Sequence, residues 1–523
     1  MAKPNEKLAD SLTFLKDLRN GGANVIRSRQ LSRIHRQRLL RGGFIQEVMK
    51  GWLIPARPDV SPGDSTAWYA SFWEFCAGYC EERFGHTWHL SPEQSLLLHA
   101  ENTVVPTQLM VLTPRGNNNQ VQLLFGTSLF DLRESAVPSQ NEIVVRDGIR
   151  IFAPAAALVR AGEAFFTRHP VEARVLLAQF RDSSELLVHL LEGGHSVVAG
   201  RLAGACRFAG RADIAADILK TMVAAGYDVR ECNPFEGPRP AVLIRTGTAP
   251  IVARLQALWQ SQREAVLAAM PAASGIPPDA TSYLQFIDDI YQTDAYNSLS
   301  IEGYHVTPEL IERVGSGNWD PARHDGDRQG RDALAARGYW QAFQLVKRSV
   351  AEVLKGADPA SVVRDGHGDW YREMFQPSVA AGLLEPTALA GYRNDAVYLR
   401  SSRHVPPRWE AVRDAMPALF DLIASEPEPA VRAVLGHWLF GYIHPYPDGN
   451  GRMARFLMNT LLASGGYPWT IIRVEDRIAY LAGLERASVD GEIEAFGTFV
   501  ASSVRRSEAD ARLHRLAGAR ISL

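Results

Sequence analysis

His444-Pro445-Tyr446-Pro447-Asp448-Gly449-Asn450-Gly451-Arg452-Met453-Ala454-Arg455 is the stretch on which the reading of this chain turns. Before it, residues 429–443 carry Val431, Val434, Leu435, Trp438, Leu439 and Tyr442 at helical spacing. After it, 452–464 continues through Met453, Phe456, Leu457 and Leu461 and stops at Gly465-Gly466. A tight loop between two buried helices is therefore expected. Gly449 and Gly451 let backbone N–H groups face one direction without Cβ obstruction. That concavity opens onto a helix N-terminus, where peptide dipoles favour an anion. Arg452 and Arg455, three residues apart, reach one ligand from a single helix face. A chain of phosphates fits this set best. Asp448 is a hard oxygen donor suited to a Mg2+ ion that bridges phosphates. His444, with an ordinary pKa near neutrality, suits taking a proton from an attacking hydroxyl. A glycine-rich turn with a capping aspartate would explain any three of these residues, but not all of them in this order.

Outward from the loop, 523 residues are too many for one ordinary domain and predict three or four. A composition that is 46% hydrophobic and 22% charged argues against overall disorder. A net charge of −2 excludes a polycation that coats nucleic acid or membranes along its whole length. Four cysteines exclude a disulfide-stapled scaffold. Cys76 and Cys80 with His86 and His89 match no common zinc spacing and are expected to be ordinary side chains. Residues 1–10 carry Lys3, Glu6, Lys7 and Asp10 and no apolar stretch, so no secretory signal is read there. No uninterrupted apolar run reaches membrane-spanning length. A cytoplasmic protein is expected, with its oligomeric state left open.

The chain then divides by pattern. Residues 26–57 hold Arg27, Arg29, Arg33, Arg36, Arg38, Arg41, Lys50 and Arg57 against Glu47, a local charge of +7, so the remainder sums to −9. Ala9–Arg19 reads as a helix closed by Gly21-Gly22, and a second helical stretch runs from Ser28 to Gly42-Gly43. Residues 44–48 and 52–54, around the turn Lys50-Gly51, read as a hairpin. This layout resembles a winged helix-turn-helix, placed at 1–58, although the distance from Ser28 to Gly42 is tight for two helices and a turn. It predicts DNA contact through 26–57, with Arg29, Arg36 and Arg38 as candidates; the competing reading is a basic helix that docks within the protein. After a Pro/Gly/Asp-rich joint at 55–64, residues 65–154 mix aromatic helix with strand-like runs at 108–112, 120–124 and 142–152, a small α/β domain. Residues 155–232 are helical, 233–240 and 271–278 are breaks, and 280–510 is mostly helical and carries the chemistry. The expected class is mainly α.

The twelve residues resemble the signature of Fic domains, His-x-Phe-x-Asp/Glu-Gly-Asn-Gly-Arg-x-x-Arg, with Tyr446 in place of phenylalanine. The resemblance extends over 280–510, with a core at about 365–505. It implies an all-helical Fic core with a β-hairpin flap, and transfer of AMP from ATP to a Ser, Thr or Tyr hydroxyl of a target protein or of the chain itself. His444 would be the general base and Asp448 the Mg2+ ligand. Gly449, Asn450, Gly451 and Arg452 would hold the α- and β-phosphates, and Arg455 the γ-phosphate. Residues 391–407 look like the flap that holds the target's backbone by strand addition, and Arg477-x-x-Tyr480 looks like the helix that closes the adenine pocket. His437, seven residues before His444, reads as structural. Ser298-Leu-Ser-Ile-Glu302-Gly303 resembles the family's inhibitory motif, Ser/Thr-x-x-x-Glu-Gly/Asn, and lies before the core, as in the N-terminal-inhibitory class. Ser298 and Glu302 share a helix face, and a carboxylate held on Arg455 would deny the γ-phosphate its ligand. Two alternatives remain: a DNA-binding, antitoxin-like regulator whose Fic core senses nucleotide, and a bifunctional enzyme in which Glu302 also serves removal of AMP.

Overall fold

The computed structural model describes residues 4–19, 24–58, 63–237, 243–317 and 330–521. Gly21-Gly22 and residues 238–240 of the 233–240 break lie outside them. The described residues fall into two compact units, Met1–Arg254 with Tyr398–Val405, and Leu255–Val397 with Pro406–Leu523.

The first unit begins with helix Pro4–Arg19, strand β1 (Ile26–Arg27), the 3-10 turn Ser28–Gln30, helix Arg33–Arg41, and the wing strands β2 (Ile45–Met49) and β3 (Trp52–Pro55). The sheet order is β1-β3-β2. Between Ser28 and Gly42 the chain makes one 3-10 turn and one nine-residue helix rather than a single long helix. Ser32 divides them: its side chain accepts the His35 N–H as an N-cap. Gly51 turns the hairpin at φ 91°, and Leu15, Ile26, Leu31, Leu39, Ile45 and Leu53 form a small core.

Helix Thr66–Phe84 presents Trp68, Phe72, Phe75, Cys76 and Cys80 to an aromatic core shared with a four-stranded sheet. That sheet has the order β4-β5-β7-β6 (His89–Leu90, Gln108–Thr113, Ser128–Arg133, Asn119–Gln122), with β5 and β7 parallel. A hairpin, β8 (Ile143–Arg146) with β9 (Ile149–Phe152), leads into the helices from Pro154–Arg160 to Ala212–Ala224. Both cysteines of the 76–89 group are fully buried, His86 is exposed, and no metal-ligand cluster occurs among the described residues. Residues 398–405 belong to this unit: the Val105 N–H donates to Arg403 O at 2.9 Å and the Ser401 N–H to Thr66 Oγ1 at 3.1 Å.

The second unit is helical. Helices Arg331–Leu354 and Pro359–Ala380 pack as an antiparallel pair against Asn450–Ala463, in which nearly every residue is buried. A helix buried all round sits at the centre of a bundle. Pro429–Ile443 also packs on it, Val412–Ser425 and Arg477–Val489 pack on Pro429–Ile443, Glu494–Ile521 packs on Arg477–Val489, and Ala280–Ile301 precedes them in the chain. The expected flap at 391–407 differs: it contains no strand. Pro406 and Pro407 have no N–H for a ladder, and Ser401 turns the chain at φ 55°.

Candidate active site

The Pro429–Ile443 helix ends at His444, which is left-handed (φ 52°, ψ 60°). Its Nδ1 lies 3.2 Å from Gly441 O. That contact calls for a proton on Nδ1 and leaves Nε2 as the basic nitrogen. The imidazole is lower in pKa than the sequence suggests, at about 4: burial pulls it down and the Arg393 cation adds to this, against the Gly441 bond and the Glu302 and Asp448 carboxylates. It is neutral at physiological pH.

Four side chains shape the loop that follows. Tyr446, where the resembled signature has phenylalanine, stacks on Tyr371 with ring centroids 3.9 Å apart. Asn450 folds back on it, its Oδ1 accepting the Tyr446 N–H at 2.9 Å and its Nδ2 donating to Tyr446 O at 2.8 Å. Its amide is therefore a loop clasp, not an open ligand for phosphate. Asp448 accepts the Gly449 N–H at 2.6 Å through Oδ1, and its side chain is 65% exposed. Arg452 is buried between the rings of Tyr304 and Phe375, at 5.1 and 5.2 Å. Gly449 adopts φ 79° as the N-cap of the Asn450–Ala463 helix.

An anion already occupies this helix N-terminus. Glu302 follows the Ala280–Ile301 helix and precedes Gly303, which turns at φ 86°. A Cβ on Gly451 would stand 2.3 Å from Glu302 Oε1, so only glycine lets the carboxylate rest there. Arg455 Nη2 donates to Glu302 Oε1 at 2.7 Å and to Ser298 O at 3.0 Å, and Nε donates to Ser298 Oγ at 2.9 Å. Burial would raise the Glu302 pKa, yet Arg455 and Arg452 outweigh it and hold the group below the usual carboxylate range. The same carboxylate raises Arg455 against the opposing effect of burial.

Tyr480 is placed differently from the adenine-pocket expectation. It is buried behind Arg455, its hydroxyl 2.8 Å from His437 Nε2 and its ring near Phe496 and Phe499. A side chain enclosed in this way supports the site from behind. His437, read as structural, is buried. Arg477 donates to Ile301 O at 2.8 Å and so pins the end of the Glu302-bearing helix. The sequence reading passed over Asp294, one turn before Ser298: it is buried and accepts from Tyr339 Oη at 2.6 Å and Trp469 Nε1 at 3.0 Å. Arg393, read in the sequence only as part of the 391–407 flap, donates from Nε to His444 O at 2.9 Å.

A neutral histidine, an exposed carboxylate and a helix start against which a carboxylate rests lie together on one twelve-residue loop. Residues 365–462 match the family described as Fic/DOC, and the chain thus carries a Fic domain. Among curated relatives it is 41% identical over 130 residues to protein adenylyltransferase Fic of Nematostella vectensis, covering 24% of this chain and 30% of that one. It is 31% identical over 140 residues to protein adenylyltransferase fic-1 of Caenorhabditis elegans, 26% of each chain. The chain spans under a third of the length of these relatives. A solved Fic-1 fragment from C. elegans aligns at 18% identity and a TM-score of 0.38, over 64% of this chain and 93% of that one.

Proposed function

We propose that this chain is a protein adenylyltransferase restrained by its own Glu302. The observation that carries the reading is the docked carboxylate: the start of the Asn450–Ala463 helix already accepts an anion, on the loop that holds a neutral His444. With Glu302 withdrawn, the N–H groups at this helix start, with Arg452 and Arg455, would take the phosphates of ATP. Asp448 suits Mg2+, which is commonly held by one or two carboxylates together with substrate phosphates and would neutralise their charge. His444 Nε2 would take the proton of a Ser, Thr or Tyr hydroxyl as its oxygen attacks the α-phosphorus. The bond from the α-phosphorus to the bridging oxygen breaks, AMP stays on the hydroxyl, and pyrophosphate leaves. The target would sit beside loop 391–407. That loop carries no strand, so strand addition by the target is not part of the proposal.

Intact mass of the Glu302→Gly protein after incubation with ATP and Mg2+ tests the reading. Addition of one or more AMP groups is expected, and His444→Ala should abolish it. An unchanged mass, with no labelled target in a cell extract, would refute it. In the N-terminal unit, a basic helix beside a two-stranded wing supports a second role, binding of duplex DNA. A cytoplasmic setting accords with four unpaired cysteines and with described helices too short or too polar to cross a membrane.

A further inference from the structure

The last carbonyls of the Pro429–Ile443 helix lack partners within that helix. The residue after them is left-handed without being glycine, which is what usually fills such a position. One buried side chain answers both features. Arg393, 2% exposed, donates from Nε to His444 O at 2.9 Å and reaches Ile443 O at 3.4 Å through Nη2. Nη2 also donates to Pro407 O, and Nη1 to Asp395 O at 2.9 Å. The Arg393 backbone N–H donates to Pro445 O at 2.9 Å. A cation here also complements the negative end of the helix dipole.

We propose that Arg393 is the positioning residue for His444. It holds the peptide on each side of Pro445's N-terminal bond, so that the imidazole, fixed at Nδ1 by Gly441 O, keeps Nε2 in one orientation. The inference rests on the proposed transfer, in which His444 is the base. The side-chain bonds described for Arg393 run to backbone carbonyls, so its part in the proposal is to hold His444 rather than to react. A lysine cannot replace it, because one ammonium has neither the planar fork nor the reach to serve His444, Asp395 and Pro407 together.

The test uses the full chain in the Glu302→Gly background, with Arg393→Gln and Arg393→Lys. Three quantities are read: kcat and KM for ATP, the thermal midpoint, and long-range nitrogen NMR of labelled histidines, assigned through His444→Asn. Arg393→Gln is expected to lower kcat by about 30- to 100-fold with KM within about twofold, the scale of a reacting group misplaced by an ångström. The His444 signal should lose its single Nδ1-protonated form, and Arg393→Lys should recover little of either. An unchanged kcat and tautomer in a variant that melts like its parent would overturn the proposal. So would loss of kcat and ATP binding together, with a lowered midpoint and an intact tautomer, since that pattern marks a merely structural residue. Should Arg393→Gln not fold, Arg393→Lys carries the same measurements. If the Glu302→Gly parent transfers no AMP, the transferase reading falls alone, and the imidazole spectra still decide the role of Arg393.

Discussion

At Gly451 a methyl group would lie 2.3 Å from the Glu302 carboxylate, so in the proposed reading phosphate loop and brake are fitted to each other at one atom. A charge-assisted bond such as Arg455–Glu302 is worth about 1.5 kcal/mol once screening of the partly exposed carboxylate is allowed for. That is about tenfold in population, before the anion site itself is freed. Glu302→Gly should therefore raise AMP transfer at least about tenfold, as labelled α-phosphate on protein reports; equal activity with ATP saturating would show that this carboxylate is not the brake. Arg455→Ala should not imitate it, because the proposed γ-phosphate ligand would be lost along with the brake. His444 gives a second expectation. Its imidazole stays neutral down to about pH 4, so kcat of the Glu302→Gly protein should fall only as pH approaches that value. A limb centred near the ordinary histidine pKa, about 6.5, would contradict the burial described. The unfolded chain takes up that proton near pH 6.5, so the buried His444 also costs stability as pH falls from there toward 4.

The Ala280–Ile301 helix is an element pinned along its length: Asp294 to Tyr339 and Trp469, Asn297 to the Val474 N–H at 2.8 Å, and Ile301 O to Arg477. Burial raises the Asp294 pKa against the bonds from Trp469 and Tyr339, so removing a donor leaves a buried carboxylate short of a partner. Tyr339→Phe should cost about 1–3 kcal/mol, seen as a lower thermal midpoint. By loosening the helix that carries Glu302, it should also raise basal transfer. A lower midpoint with unchanged transfer would separate docking of this helix from the brake. The residues 444–455 were legible in the sequence because their chemistry is contiguous and their flanking helices are strongly periodic. Asp294 was not, since a lone acid among polar neighbours reads as solvent-facing until the tyrosine and tryptophan that bind it are brought in from 45 and 175 residues away. Strand β1 has two residues and no period to detect, and β7 is defined by a parallel partner that no local pattern reveals. Tyr480 was misplaced for a related reason: the spacing Arg477-x-x-Tyr480 says which residues share a face, but not that His437 would claim the hydroxyl.

On the scale of the whole chain, net charge hides a strongly basic N-terminal module, and the fold sorts its arginines by what they can reach. Arg38 donates to Lys7 O at 3.1 Å and so ties the two helices of the module together. Arg29 is 76% exposed, Arg33 is exposed and Arg36 is half-buried on the Arg33–Arg41 helix, while Lys50 stands at the wing turn. If the module binds duplex DNA as proposed, the contacts are mainly to phosphate, and each one releases counterions. The logarithm of affinity should then fall with the logarithm of salt at a slope of roughly −0.9 per contact. For the full chain we expect about three to five contacts, measured by retardation of duplexes of unrelated sequence. Replacing Arg33 and Arg36 together by Ala should flatten the slope by about two contacts and weaken binding evenly across sequences. Arg38→Ala should instead lower thermal stability and leave the slope nearly unchanged, because its guanidinium serves the helix pair. An Arg38→Ala slope as flat as that of the double variant would place this arginine on the DNA. Absence of retardation at low salt would assign the basic helix to a contact within the protein.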